Sequence, residues 1–364
     1  MLATNLPLSR RHLVLAGATG VSGLLLGSAD PTRGNRMQQT VSSGGYTTES
    51  IHFLSSGTRI IGTLFIPIGA PVRNAAIAIL GPFGFVKEQA PAQYASRLAD
   101  AGFITLIFDP RFSGESDGTP RRFESPSHKI EDVHAALDFL SNHAAVDTDR
   151  LGVLGICQGS SEMIAVAASD PRVKTLVTVS GQYIYPQNID GFFGESGMTR
   201  EQRIARGRAA RDRFESTGET LYTEVVSLTD KKAGLPWKPI HDWYIPWTTD
   251  KWGAKSRWEN RYATMSDAEV WTFNVEDVAH KVSVPTLMIH GERSDGGPEA
   301  ARHVFDLLPA KDKILKIVPG VFHTRFYDDP LVVDLAAHDV ATWLNKHLVT
   351  DQGSAVVTPS APDY

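Results

Sequence analysis

The chain holds a single cysteine, Cys157, among 364 residues. An intrachain disulfide is thereby excluded, and a hydrophobic core has to hold the fold together. Charge of either sign is scarce in excess, with a formal net charge of −5. No general pull toward nucleic acid or anionic lipid follows, and no nucleic-acid partner is expected. Long apolar runs are missing beyond the N-terminus, so the mature chain is expected to carry no stable membrane span. No His, Cys and Asp set has the spacing of metal ligands, so neither a metal nor another cofactor is expected. The remaining composition, 42% hydrophobic and 21% charged, is that of a globular chain long enough for one large α/β core.

What is present begins with a targeting pattern. Ser9-Arg10-Arg11-His12-Leu13-Val14 is a twin-arginine signature, and a weakly hydrophobic stretch follows from Leu13 to Leu26. Gly27-Ser28-Ala29 then offers small residues for cleavage before Asp30. Residues 1–29 read as a signal peptide for the twin-arginine export machinery, which makes the mature protein periplasmic or secreted. Residues 30–46, rich in Gly, Ser, Thr and Gln, read as a flexible lead-in.

From residue 47 the pattern becomes regular. Ile51–Leu54 and Thr58–Ile66 flank Ser55-Ser56-Gly57 as a β-hairpin that ends at Pro67. Ala75–Leu80 and Phe103–Phe108 are continuous apolar runs, as expected of strands covered on both faces. Helical spacing marks Glu88–Ala101 and Ile130–Leu140, and Thr175–Val179 is a further β-branched run. Later, strands at 284–289 and 313–318 alternate with helices at 298–307 and 330–348. This alternation predicts an α/β fold, a mostly parallel central sheet with helices on both faces. The core is expected from 47–181 and 281–348, and 349–364 reads as a loose tail.

Residues 182–280 break the rhythm and hold six of the seven tryptophans: Trp237, Trp243, Trp247, Trp252, Trp258 and Trp271. They read as a helical lid inserted over the sheet. Thr199 and Gln202 fit a capping box for a helix carrying Arg200, Arg203, Arg206, Arg208, Arg211 and Arg213, read as a solvated face. Two roles fit the tryptophans. They line a substrate pocket, with Trp243, Trp247 and Phe85 as candidates, or they staple the insertion to the core.

The stretch with most chemical content is Leu151–Gly159. A short apolar run meets Gly155-Ile156-Cys157-Gln158-Gly159, and a small-residue helical segment follows. Strand, glycine-pinched turn and helix is the layout of a nucleophile elbow, with Cys157 where Ser usually stands. A thiol there sits over a helix N-terminus, which lowers its pKa. A nucleophile needs a base and an orienting acid, in the chain order nucleophile, acid, histidine. His323 is the base. Asp295 is the first choice for the acid and Glu292 the second; many relatives of this layout place it four residues after the histidine of His-Gly, here Ser294. His290 reads as structural. The oxyanion would be held by the N–H of Gln158 and by one from the 81–85 loop. Pro82 has no N–H, which leaves Phe83, the choice adopted, or Gly84.

These residues resemble the α/β-hydrolase superfamily in its dienelactone-hydrolase-like branch with a cysteine nucleophile. Uncharacterised bacterial α/β hydrolases and fungal polyketide transferases are closer still. The likeness lies in Gly81-Pro82-Phe83-Gly84 with Lys87-Glu88-Gln89, in Phe108-Asp109-Pro110 with Gly114-Glu115-Ser116, in the elbow, and in His323 with Tyr327-Asp328. It covers about residues 47–348. It implies hydrolysis of carboxylic esters, lactones or thioesters of a small-molecule acyl substrate through an acyl-cysteine. The rival readings are an acyltransferase on the same triad and a non-catalytic binding protein. Gly81 stands where dienelactone hydrolases carry a carboxylate, and Ser160-Ser161 where close relatives favour a further glycine.

Overall fold

A computed structural model describes residues 41–69, 72–249 and 256–349. The twin-arginine segment, Trp252 and the tail from 350 lie outside the described residues. The strands are β1 (Val41–Ser43), β2 (Tyr46–Ser55), β3 (Thr58–Pro67), β4 (Asn74–Leu80), β5 (Ile104–Phe108), β6 (Val146–Ile156) and β7 (Val173–Val179), then β8 (Tyr222–Thr223), β9 (Tyr262–Ala263), β10 (Thr286–Arg293) and β11 (Lys313–Phe322). Nine form one sheet in the order β1-β2-β3-β5-β4-β6-β7-β10-β11, and β8 and β9 form a small ribbon. From β5 to β11 the neighbours in the large sheet run parallel, while β1, β2 and β3 are antiparallel additions at one edge. Val41–Ser43 pairs with β2, so the end of the expected lead-in is strand rather than loose chain.

The continuous apolar runs have their reason in the two cores. In β4, Ala75, Ile77 and Ile79 enter one core while Ala76, Ala78 and Leu80 enter the other. Neither face meets water, so neither can be polar. Helices α1 (Ala90–Asp100), α2 (Pro126–Ser141), α3 (Gly159–Ser169), α4 (Pro186–Phe193), α5 (Arg200–Thr217), α6 (Lys238–Tyr244), α7 (Ser266–Val270), α8 (Glu276–Ala279), α9 (Gly297–Leu307), α10 (Arg325–Asp328) and α11 (Pro330–Leu344) complete the fold. Tyr94 and Leu98 of α1 and Val333 and Val340 of α11 fill the first core. Val133 and Leu137 of α2, Met163 of α3 and Val304 of α9 fill the second. The α2 helix starts four residues before the expected Ile130. The Ser125 hydroxyl accepts the His128 N–H at 3.4 Å and Pro126 occupies the first turn, a start signal that outranks apolar spacing.

Helices α4 to α8 form the insertion between β7 and β10. The capping box of Thr199 and Gln202 opens α5 as expected. Its arginines are not all solvated. Arg203 is fully buried, donates to the Ala233 carbonyl at 2.8 Å, and lies 3.9 Å over the Phe193 ring. Arg206 reaches the buried Asp267 at 2.7 Å. A guanidinium can thus tie loop carbonyls and an acid inside an insertion that has few strands to satisfy them.

The sheet order places the site. β4 has β5 on one side and β6 on the other, so the chain leaves it in opposite directions on successive crossovers. The loops after β4 and β6 therefore open side by side, the usual location of a ligand crevice in such sheets. They touch: the Gly159 N–H donates to the Gly81 carbonyl at 3.2 Å. A Cβ on Gly159 would sit 2.6 Å from the Leu80 carbonyl oxygen. We expect Gly159→Ala to cost about 1–3 kcal/mol in urea denaturation. Gly191→Ala, whose Cβ meets nothing within 4 Å, should be neutral or slightly stabilising.

Candidate active site

Cys157 is the first residue beyond β6 and is held at φ 56°, a conformation L-residues rarely adopt. Three hydrogen bonds enforce it. The Cys157 N–H donates to the Val179 carbonyl at 3.1 Å, and its own carbonyl accepts from Gln182 at 2.9 Å and Ser160 at 3.0 Å. The two serines where a glycine was expected have work of their own. Ser160 donates to the Gly155 carbonyl at 3.0 Å, and Ser161 to the Gln182 carbonyl at 2.9 Å while accepting the Ile184 N–H. They close the turn and pin the segment after β7 to it.

Cys157, His323 and Asp295, from the ends of three strands, line one cavity of about 340 Å³. Its walls are mostly apolar and come largely from the insertion: Phe192, Leu235, Trp237, Ile240 and Tyr244. The N–H groups of Gln158 and Phe83 and the hydroxyl of Tyr327 all reach the Cys157 sulfur. The Phe83 loop is held from both sides. Tyr244 donates to the Phe83 carbonyl at 2.6 Å, and Asp109 accepts the Lys87 N–H at 2.8 Å.

The acid does not meet the base as expected. His323 Nδ1 accepts the backbone N–H of Asp295 at 3.2 Å. The Asp295 carboxyl instead faces the side-chain amides of Gln182 and Asn188 and the Gly296 N–H. Glu292 is exposed and accepts the Gly320 N–H at 2.7 Å, outside the cavity. Ser294 is bound to Ser180 at 2.9 Å and to the Gly291 N–H at 3.2 Å, a brace beneath the histidine loop. His290 is fully buried under that loop, where burial pushes its pKa down to about 4.

Desolvation governs the charges here. Burial pushes the Cys157 thiol up to about 12, against the help of Tyr327 and the two N–H groups. The lowered value expected from the helix N-terminus is overturned because the thiolate has lost its water. Burial likewise pushes His323 down to about 3, with His290 adding to the effect. Asp295 rises to about 7, since its carboxyl lies inside even though the residue as a whole is only partly covered. The resting pair is thus neutral thiol and neutral imidazole.

Three expected substrate contacts lie elsewhere. Phe85 is buried in the second core, under the Lys129 ammonium. Trp243 packs on Tyr244 and Tyr327, and Trp247 on Trp243. They staple the insertion, and among the described tryptophans Trp237 lines the cavity. Gln182 was not singled out in the sequence, and Tyr327 and Trp237 were named there without a role of their own. Only Tyr327 left a signal, one helical turn beyond His323. The carboxylates of Glu88, Asp109 and Glu115 lie close enough together to hold a cation. The Lys87 ammonium already stands among them, at 2.8, 2.9 and 2.7 Å.

Fold and site together define an α/β hydrolase, an enzyme of the class that works on ester and thioester bonds. The sequence model of the X-Pro dipeptidyl-peptidase (S15 family) matches residues 56–323, and the chain belongs to that family. The uncharacterized protein PA2218 of Pseudomonas aeruginosa is 32% identical over 296 residues, 76% of this chain and 74% of that one. Its crystal structure superposes with a TM-score of 0.72 and 28% identity, covering 86% of this chain and 100% of that one. The acyltransferase drtE of Aspergillus calidoustus is 31% identical over 174 residues, 48% of this chain and 53% of that one. The α/β hydrolase GrgF from Penicillium sp. sh18, at 20% identity, shares the fold with a TM-score of 0.69 over 83% of this chain and 99% of that one.

A raised thiol pKa means little thiolate at neutral pH. Alkylation of Cys157 by iodoacetamide, followed by mass, should climb steadily from pH 7 to pH 10. A plateau with a midpoint below pH 8 would contradict the electrostatics described.

Proposed function

We propose that the protein is an exported cysteine hydrolase of the dienelactone-hydrolase-like branch, cleaving carboxylic esters, lactones or thioesters through an acyl-cysteine. The observation that carries this reading is the convergence of Cys157, two N–H donors, His323 and Asp295 on one apolar cavity. His323 takes the thiol proton as the sulfur attacks the carbonyl carbon. The N–H groups of Gln158 and Phe83 hold the oxyanion. Collapse expels the alcohol or thiol, which leaves with the proton from His323. Water activated by the same histidine then releases the acid and frees Cys157. For Nε2 to act as base, Nδ1 has to carry the ring proton. The Asp295 carboxylate accepts a hydrogen bond from that N–H once its side chain turns from Gln182 toward the ring. The twin-arginine pattern at Ser9–Val14 supports a periplasmic or secreted location reached through the twin-arginine machinery.

The cavity supports an apolar acyl group. Among the described residues lining it, Asp295 is the only carboxylate, and none of them offers a separate acid for the N-terminal ammonium of an X-Pro dipeptide. The second reading, acyl transfer, draws on the likeness to the acyltransferase drtE and on apolar walls that disfavour water. The test is turnover of p-nitrophenyl esters, short thioesters and an X-Pro anilide, each with and without an added alcohol or amine. Release without acceptor supports the hydrolase, and sharp acceleration by acceptor supports the transferase. Cys157→Ala should lose at least about a thousandfold in kcat, and wild-type turnover by that variant would overturn the proposal. Asp295→Asn should lower kcat by about 10²–10⁴, because a neutral amide no longer draws the ring proton to Nδ1 and the ring stays in the unproductive tautomer.

A further inference from the structure

Three ionisable side chains lie buried behind the elbow and take no part in the chemistry above. Lys129 of α2 is 2% exposed, Glu124 is 2% and Glu162 of α3 is 0%. Lys129 pairs with the Glu124 carboxylate. Glu162 accepts from the Gln158 side-chain amide at 2.7 Å, one helical turn away. Lys129 also lies 5.5 Å over the ring of Phe85, in the loop that carries Phe83. Glu124 extends the set to the insertion, since its N–H donates to the Ser266 hydroxyl at 2.8 Å. Burying such charges is costly unless geometry makes use of them. Here they touch Gln158, whose N–H reaches the sulfur, and Phe85, two residues from Phe83 in the same loop.

We propose that Glu162, within the buried set Lys129–Glu124–Glu162, is a positioning residue that holds Gln158 so that its backbone N–H stays aimed at the oxyanion. The proposal rests on the acyl-cysteine reading. Gln158 opens α3 without any side-chain cap to its own helix. The bond to Glu162 is what orients the residue, while Lys129 balances the carboxylate that receives it. The Lys129 ammonium lies within electrostatic reach of the Glu124 and Glu162 carboxyls and of the Cys157 sulfur. Burial raises Glu162 to about 7, with Lys129 and the Gln158 amide working against the rise.

The test compares Glu162→Ala, Glu162→Gln and Gln158→Ala in the full chain, with p-nitrophenyl acetate as probe. Glu162→Ala leaves the Lys129–Glu124 pair neutral, so the variant should fold. Its kcat should fall by about 10–100-fold, less than the loss from deleting an oxyanion donor outright. KM should stay within about twofold, and alkylation of Cys157 by iodoacetamide, which needs no oxyanion hole, should stay near wild type. Glu162→Gln keeps an oxygen for Gln158 and should restore kcat to within about threefold of wild type. Gln158→Ala removes the same bond from the other end and should match Glu162→Ala. Wild-type kcat in folded Glu162→Ala or in Gln158→Ala overturns the proposal, as does a Glu162→Gln as slow as Glu162→Ala. Failure of the underlying reading looks different: Cys157→Ala would then turn over the probe as fast as wild type.

Discussion

The structure depends on one turn. Cys157 stands at φ 56° between a buried strand and a helix that approach closely at Gly155 and Gly159. A side chain at Gly159 would strike the carbonyl of the strand next door, β4, so strand, helix and neighbouring loop share one contact point. Because β4 is where the sheet reverses its direction of growth, that contact also fixes the loop of Phe83 against the elbow. Strain at Cys157 is tolerable because hydrogen bonds from β7, from α3 and from the segment after β7 over-determine it.

Burial decides the chemistry open to this turn. Thiolate and imidazolium are both disfavoured, so no thiolate–imidazolium pair stands at rest. In the proposed reaction the proton moves as the carbonyl is attacked, when the developing charge meets N–H groups already in place. Preorganisation, rather than a reactive resting thiolate, carries the proposed reaction. An undissociated thiol is compatible with the proposed export, because oxidation follows thiolate character.

Much of this was legible in the chain. The elbow showed itself through glycine spacing, and the loops after the later strands followed from parallel alternation. Backbone periodicity reports which strand end a residue occupies, and that is why Cys157, Asp295 and His323 meet in one cavity. Side-chain direction is another matter. Nothing local says that the Asp295 carboxyl turns to Gln182 and Asn188, or that Phe85 drops into the second core instead of the cavity. The insertion was the least legible part, because its residues are placed by tertiary partners. Trp243 and Trp247 became packing, Trp237 became a wall, and Arg203 went inside where a charged helical face implied solvent. The buried Lys129, Glu124 and Glu162 left no signal either, since charged residues at helical spacing ordinarily face water.

The most direct measurement is peptide mapping by mass spectrometry after rapid acid quench of the protein with a short acyl thioester. The acyl mass is expected on the peptide that contains Cys157, removable by hydroxylamine. Turnover with no acyl group on that peptide, or with the acyl group on another residue, would contradict it.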